Sequence, residues 1–320
     1  MKKRLLAMAV AAAITLSVGS VFANPVVLDG SASYQWRENS EDGLRDTDGG
    51  IFTFKLNAKM NVDKHFDLYA RFAAQGLSGN NVDGTALGSD LADATKNFDA
   101  AIDQYGFIYK NAGANYKFGR QGVSVGATAL LYNHEGKIAN HIFADGVTVT
   151  GTAGATQLKA IAVQEDDIAS NNNKLYALAA SYNPSKDWTI GGTVAKYKTD
   201  VDSSKHWAVN TSYTFADATL FGEYTKSDAD TLDTAYAVGV SYAIDKKNTF
   251  TVTNFKVELN GDIAGNTDFD NNMKGFYYSY NHQFTKDTGL NITYQDKEYI
   301  SGSKNGNTVN SFRTTVNYSF

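Results

Sequence analysis

The chain has no cysteine, and only two of its 320 residues are proline. An exported fold without cysteine cannot use disulfides, so its stability has to come from a closed, hydrogen-bonded sheet. Long apolar runs are also missing, since no stretch after residue 23 approaches the ~18 apolar residues of a membrane-spanning helix. The chain beyond that point is therefore either soluble or crosses a membrane as strands, because only helices and closed barrels satisfy their backbone groups in lipid.

The N-terminal segment has the three parts of a secretory signal peptide. A basic start at residues 2–4 precedes an apolar run over 5–18 and a small-residue site at 21–23. This pattern predicts a signal peptide over 1–23, removed after Ala23, and a single domain over 24–320. Removing the three basic residues would change the net charge from −5 to −8, which argues against nucleic acid as a partner.

Apolar and polar residues alternate along most of the remaining chain, which is rich in Tyr (19) and Phe (18). Alternation with a period of two is the pattern of strands that have one apolar and one polar face. It also explains the negative mean hydropathy of −0.34. We predict an all-β, transmembrane antiparallel β-barrel of about 16 strands. The predicted strands are 26–37, 50–61, 66–77, 98–110, 113–121, 141–151, 155–164, 173–183, 188–199, 205–215, 218–227, 233–244, 248–259, 272–284, 288–298 and 308–320.

The final strand shows the alternation without a break. Its aromatic and aliphatic side chains fall on one face, and Arg313 falls on the other. An apolar outer face and a polar inner one is what a membrane barrel requires. The last residue of this strand is Phe320.

The chain resembles the general diffusion porins of Gram-negative outer membranes in its strand pattern, its predicted signal peptide, its terminal Phe and the string Lys117-Phe118-Gly119-Arg120-Gln121. The resemblance implies homotrimers of sixteen-stranded barrels, and recognition of Phe320 by the assembly machinery. It also implies that Arg120 lies at the pore constriction and that the connection 122–140 is a third loop folded into the barrel. The acidic Pro-Glu-Phe-Gly-Gly motif of many enterobacterial members is missing here, and the acids on offer instead are Glu135 and Asp145.

The charges of the predicted strands can be assigned to a face by their parity. Parity turns a set of basic side chains away from lipid: Arg37, Lys55, Lys59, Arg71 and Arg313. In a closed barrel the last strand lies beside the first, so these residues would form one arc of the inner wall. We predict that this arc, with Arg120 opposite the acids of the third loop and Glu135 as its best partner, creates a transverse field in a narrow, low-dielectric section.

Acidic residues are concentrated in the predicted loops. They could bind divalent cations that bridge to lipopolysaccharide or attract cations to the pore mouth, or they could be solvated surface charge. The five histidines lack the paired spacing of a zinc site, so we predict no metal and no cofactor. A barrel lipase would need a lipid-facing Ser beside a His. His282 has that outward parity and Ser279 does not, and we expect no enzyme activity.

The sequence therefore predicts an integral protein of the outer membrane that passes ions and small hydrophilic solutes passively. Its expected contacts are outer-membrane lipid, lipopolysaccharide and further copies of itself in a homotrimer. Two alternatives stay open: a substrate-specific channel, for example for sugars, and a surface adhesin or structural barrel with a plugged lumen.

Overall fold

The computed structural model describes residues 25–78, 98–135, 138, 143–165 and 172–320. The predicted signal peptide, the connection 79–97 and part of the connection 122–140 lie outside these described residues. Within them the chain forms strands and turns and no helix. None of the described residues therefore belongs to a helix long and apolar enough to span a membrane.

Eighteen strands follow one another along the chain. Their bounds are β1 Val26–Glu41, β2 Thr47–Asn61, β3 Phe66–Ser78, β4 Phe98–Asn111, β5 Ala114–Gln121, β6 Ser124–Val125, β7 Tyr132–Asn133, β8 Ala144–Ala153, β9 Thr156–Glu165, β10 Lys174–Ser185, β11 Trp188–Lys198, β12 Ser203–Phe215, β13 Ala218–Ser227, β14 Thr234–Ala243, β15 Asn248–Val257, β16 Met273–Gln283, β17 Thr288–Tyr299 and β18 Thr308–Ser319.

Sixteen of these strands form one closed antiparallel barrel, in which each strand pairs with its neighbours in sequence and β18 pairs with β1. The two short strands β6 and β7 pair only with each other, inside the connection between β5 and β8. The all-β barrel of sixteen strands is confirmed. Because neighbouring strands are antiparallel, successive connections lie at alternate ends of the barrel. The connections at one end are tight turns of two or four residues, and most of those at the other end are longer.

The outward faces follow the predicted alternation. Along β12, for example, Trp207, Val209 and Tyr213 are all more than two-fifths exposed, while His206 and Ala208 between them are buried. Directly opposite residues in an antiparallel ladder share a face, so the register carries this assignment around the barrel. Large apolar and aromatic side chains are exposed on the outer face around the barrel, as lipid contact requires.

The seam between the first and last strands depends on a glycine. Gly30 and Phe320 exchange both backbone hydrogen bonds, at 2.9 and 3.1 Å. The Phe320 ring stacks on Phe54, with 6.0 Å between ring centroids. A Cβ on Gly30 would lie 2.6 Å from the Phe320 ring and 2.5 Å from the Lys55 carbonyl oxygen. Only glycine at this position therefore lets the ring lie across the seam.

We expect Gly30→Ala to weaken barrel closure, because the added methyl group clashes with both backbone and ring. Such overpacking typically costs about 1–3 kcal/mol. The measurement is the urea midpoint of unfolding, followed by the gel mobility of folded and unfolded forms in detergent. Gly192→Ala on β11 is the matched control, because its Cβ would meet no atom closer than 3.6 Å. Equal midpoints for the two variants would contradict this account of the seam.

Candidate functional site in the barrel lumen

Five predicted basic residues lie on one side of the barrel lumen, on β1, β2, β3 and β18. Their parity is inward, since each alternates with an outward residue of its strand. We call this set the basic arc: Arg37, Lys55, Lys59, Arg71 and Arg313. Arg37 and Arg313 are directly opposite each other across the seam.

The two seam arginines are held by neutral acceptors. Arg313 donates from Nε to the Ser311 hydroxyl at 3.0 Å and from an amino group to Gln295 Oε1 at 2.9 Å. Arg37 donates to Gln35 Oε1 at 3.1 and 2.9 Å. Like charges directly opposite in a ladder disfavour pairing. The ladder accommodates this pair, and the two guanidinium groups give one stretch of wall a strong positive potential.

Two other members of the arc have carboxylate partners. Arg71 makes a two-pronged ion pair with Asp103, 2.8 Å for each contact, and its guanidinium also lies over the Phe143 ring at 5.1 Å. Asp103 is the extra residue of a bulge in β4, since Arg71 pairs with Gln104 and Phe72 pairs with Ile102. Lys59 lies 3.1 Å from Asp67, nearer the short turns. Arg71 and Lys59 therefore have their charges compensated within the wall.

Sequence reasoning missed three inward lysines that extend the arc: Lys117 on β5, Lys159 on β9 and Lys297 on β17. Lys297 lies 2.6 Å from Asp270, and Lys117 lies over the Tyr69 ring at 4.7 Å. The parity of Leu158, which is exposed on the outer face, was the available signal for Lys159. With these additions the positive wall runs from β17 through the seam to β9.

The connection between β5 and β8 is tied to the far side of the barrel by Glu223 on β13. Its carboxylate accepts from the Ala127 N–H at 3.1 Å, the Thr128 N–H at 2.7 Å and the Thr128 hydroxyl at 2.7 Å. Glu223 is 2% exposed and inward, because its neighbour Tyr224 is outward. Gly126 beside the contact has φ +97°, and a Cβ there would lie 2.4 Å from Glu223 Oε1.

The same connection is packed against the inner wall by apolar side chains. Leu130, Leu131 and Tyr132 have no exposed surface. The Tyr132 hydroxyl donates to Glu165 Oε1 at 2.6 Å, and Tyr197 donates to Glu165 Oε2 at 2.5 Å. Burial next to the Glu165 carboxylate raises the pKa of Tyr132 well above its usual value. Tyr132 therefore stays a neutral donor, which keeps this end of the connection fixed to β9 and β11.

The loop over residues 258–272, between β15 and β16, holds the connection from the opposite side. The Ile263 N–H donates to the Leu131 carbonyl at 2.8 Å, and the Asn133 N–H donates to the Asn266 carbonyl at 2.6 Å. Asp268 accepts from the Asn133 side chain at 2.6 Å. Acids of this loop, which the sequence left open as possible cation ligands, thus have protein partners.

The two loops divide the lumen into unlike halves. On β9 to β16 most inward residues near the loops are apolar, and they pack with the loops into two buried clusters, one containing Ile161, Leu175 and Ile263, and the other Leu130 and Phe255. On the seam side a cavity of about 890 Å³ remains, lined by Arg37, Lys55, Lys297 and Arg313 on the wall and by Asp268 and Asp270 of the loop. Basic side chains of the wall and acids of the loop thus line the same cavity, and Lys297 and Asp270 are in contact at 2.6 Å.

The structure places Arg120 and Asp145 elsewhere than predicted. Arg120 pairs in register with Tyr105 and Asp145, and Tyr105 is 49% exposed on the outer face. Arg120 donates to the Asp145 carboxylate at 2.9 and 3.3 Å and lies over the Tyr105 ring at 5.9 Å. Among the described residues the acid paired with Arg120 is therefore Asp145 and not the predicted Glu135. The outward parity of Tyr116 and Phe118 on the same strand was the overlooked signal.

Glu135 lies beside a different basic residue. Its carboxylate is 3.7 Å from Lys159 Nζ, and Lys159 also donates to the Ser124 carbonyl at 3.0 Å. The connection thus contacts the basic wall at β9, four strands away from Glu223 on β13. Over residues 25–78, 98–135, 143–165 and 172–320, no group of three or more His, Asp or Glu side chains could hold a metal ion.

Solved structures share this fold. No protein-family model matches the sequence, and no curated protein is similar enough to match it. OmpT with loop L8 deleted, an outer membrane protein of Vibrio cholerae, is 12% identical with a TM-score of 0.61, covering 93% of this chain and 100% of that one. A triple mutant of Rhodopseudomonas blastica porin is 13% identical with a TM-score of 0.59, covering 92% and 100%. OmpT in its trimer form is 13% identical with a TM-score of 0.58, covering 93% and 100%. This chain therefore has a porin-like barrel fold.

We expect Glu223→Ala to loosen the tip of the β5–β8 connection, because hydrogen bonds to a charged group are worth about 1.5–3 kcal/mol. The amides of Ala127 and Thr128 should exchange with deuterium on the order of tenfold faster or more. Asn210→Ala, directly opposite on β12, is the control and should leave those amides unchanged. Exchange that is the same in all three proteins would contradict the assignment of Glu223 as the anchor.

The second loop should respond to pH through Asp262. This side chain is 3% exposed, and its Oδ1 accepts from Asn271 at 2.8 Å and from the Gly265 N–H at 3.2 Å. Burial raises the pKa of Asp262 from 3.8 to about 7. Because the folded pKa lies above the unfolded one, the loop is most stable below about pH 4, loses stability as the pH rises to about 7, and then stays constant.

We therefore expect the protection of residues 258–272 against hydrogen exchange, corrected for intrinsic rates, to be lower at about pH 8 than at about pH 5. Asp262→Asn, which is neutral at both values, should remove the difference. Asp230→Asn in the loop between β13 and β14 should not. A pH dependence that survives Asp262→Asn would assign it to another group.

Proposed function

We propose that this chain is an outer-membrane channel whose water-filled lumen lets ions and small hydrophilic solutes diffuse passively. The observation that carries the proposal is the cavity of about 890 Å³ beside the seam, lined by charged side chains on both sides. A lumen filled for structural reasons alone would have a largely apolar lining, whereas this cavity is lined by several charged side chains of both signs.

The β5–β8 connection would form the narrow section of this channel. Anchored on Glu223 and Lys159, it leaves the passage on the side of the basic arc. We propose that Arg37, Lys55, Arg71 and Arg313 act as the positive wall of that section. Asp270 and its neighbours on the β15–β16 loop act as the negative wall, so that a transverse field orders water and orients dipolar solutes.

The plugged-barrel alternative is less well supported, because the apolar packing of both loops lies mainly on the β9–β16 side and leaves the cavity beside the seam. A sugar-specific channel needs a track of aromatic residues along the lumen. Tyr277 is inward, but it packs against Phe255 and Phe269 and donates to Asp270. Its ring and its hydroxyl group are therefore both engaged in contacts that hold the β15–β16 loop. Ser279 and His282 lie on opposite faces of β16, which leaves no catalytic pair there, and we propose no enzyme activity.

Orientation and assembly follow from the same proposal. The short turns would face the periplasm and the long loops the exterior, as in other barrels of this kind. The outer face would contact lipid, and the chain would act as a homotrimer after loss of its signal peptide. Phe320, stacked on Phe54 and on Tyr318 at 6.1 Å, presents its ring outward at the seam and would be the part recognised during assembly.

The proposed function is tested by single-channel recording of the purified protein in planar bilayers. We expect discrete, ohmic conductance steps and a measurable reversal potential in a salt gradient. A folded barrel that gives no steps at any protein concentration would overturn the channel and support the plugged alternative.

We expect Arg313→Gln to shift the reversal potential toward cation preference, because it removes one charge from a low-dielectric passage. The permeability ratio should change on the order of twofold. Arg120→Gln is the matched control, since Arg120 lies on the outer face beside Asp145, and it should leave selectivity unchanged. A larger shift from Arg120→Gln than from Arg313→Gln would show that the passage runs elsewhere.

A further inference from the structure

Four lysines form a cluster on the outer face, at the long-loop ends of β10, β11 and β12. We call Lys174, Lys196, Lys198 and Lys205 the lysine cluster. Lys174 is directly opposite Lys198, and Lys196 is directly opposite Lys205. Their parity is that of Tyr176, Val194 and Trp207, which are exposed on the outer face. The lysines thus continue the lipid-facing surface one step beyond its aromatic residues.

This arrangement works against the stability of the ladder. Residues directly opposite have Cβ atoms about 4.5–5.5 Å apart, and like charges there are destabilising. Among the residues that the structure describes, none of the four ammonium groups has an ion pair within 4 Å, whereas the outward lysines farther round the barrel do: Lys256 with Glu258 and Lys274 with Glu298, both at 2.6 Å. The Asp228 carboxylate accepts from the Lys205 backbone N–H at 2.9 Å.

An apolar groove begins where the lysine cluster ends. It is a cavity of about 820 Å³ on the outer face, lined by Leu178, Val194 and Trp207, with Lys196 and Lys205 at its end. A second cavity of about 730 Å³, lined by the same three apolar residues and by Gly192, continues it toward the short turns. Small residues at the floor, such as Gly192 and Ala160, set the backbone back from the surrounding side chains. The groove is therefore deep enough to receive hydrocarbon chains.

The opposite side of the barrel has the reverse charge at the same level. Its outward residues beyond the aromatic residues include Glu38 on β1, Asp48 on β2 and Asp296 on β17, while Glu298 on β17 is paired with Lys274. If these residues were only solvated surface charges, we would not expect basic and acidic residues to lie on opposite sides of the barrel. The separation means that an anionic lipid would be attracted to β10–β12 and repelled from β17–β2.

We propose that the lysine cluster and the groove below it bind a phosphorylated lipid with several acyl chains, from the leaflet on the long-loop side. Its phosphates would lie between the paired lysines and neutralise their mutual repulsion, and its acyl chains would fill the groove along Leu178, Val194 and Trp207. This is the chemistry of the lipid anchor of lipopolysaccharide. The site rests on the proposed membrane location but not on conduction through the lumen.

The test is native mass spectrometry of the detergent-purified protein titrated with bisphosphorylated, hexa-acyl lipid A. A lysine near an anionic surface contributes about fivefold to affinity. The combined K174Q, K196Q, K198Q and K205Q variant should therefore bind lipid A on the order of 600-fold more weakly. The matched control is the K256Q and K274Q variant, whose lysines already have acidic partners, and it should bind as the parent does.

Gly192→Phe tests the groove without changing any charge. Its added ring should occupy the space of an acyl chain and weaken lipid A binding, while dephosphorylated lipid A should bind the parent as weakly as lipid A binds the four-lysine variant. Inorganic phosphate should not displace the bound lipid. Unchanged binding in the four-lysine variant, an equal loss in the control, or displacement by inorganic phosphate alone would overturn the site. Folding of each variant is verified by its gel mobility, and its conductance reports separately on the channel.

Discussion

Closure of the hydrogen-bonded ladder between β1 and β18 is the constraint on which the rest of the structure depends. A lipid-exposed sheet edge would leave backbone groups without partners, so the sheet must return to its own first strand. Once it does, parity fixes two faces all around the barrel, and residues far apart in sequence, such as Arg37 and Arg313, become directly opposite. Both the basic arc in the lumen and the lysine cluster on the outer face result from this register.

The two sides of the lumen differ in the polarity of their inward residues, and this difference decides where the loops pack. Most inward positions on β9–β16 are apolar near the long loops, so burying them against the β5–β8 connection and the β15–β16 loop removes apolar surface from water. Inward positions around the seam are charged and stay beside an open cavity because burying them without partners would be costly. The open cavity therefore lies beside one wall, and the β5–β8 connection is held by polar anchors such as Glu223.

Most of the barrel could be predicted from the sequence, because alternation and turn chemistry are local. Residues 218–227, for instance, were predicted as a strand and form β13 with the same bounds. The position of Arg37, Lys55 and Arg313 on one inner wall could be predicted from their parity, once the barrel was taken to close between its first and last strands. Arg120 was misplaced because a motif resemblance outweighed the parity of Tyr116 and Phe118 on its own strand. The anchor on Glu223 could not be foreseen, since it joins residues 96 positions apart through a loop without periodicity.

The asymmetric lumen is tested most directly by cysteine accessibility, since the chain has no cysteine of its own. Lys55→Cys lies on the open wall, and Ala237→Cys lies on the covered wall, where Ala237 has no exposed surface. A charged, water-soluble thiol reagent added during channel recording should change the current of Lys55→Cys within its exposure time and leave Ala237→Cys unmodified. Equal modification of both positions would show that the loops do not cover one half of the lumen and would contradict the account.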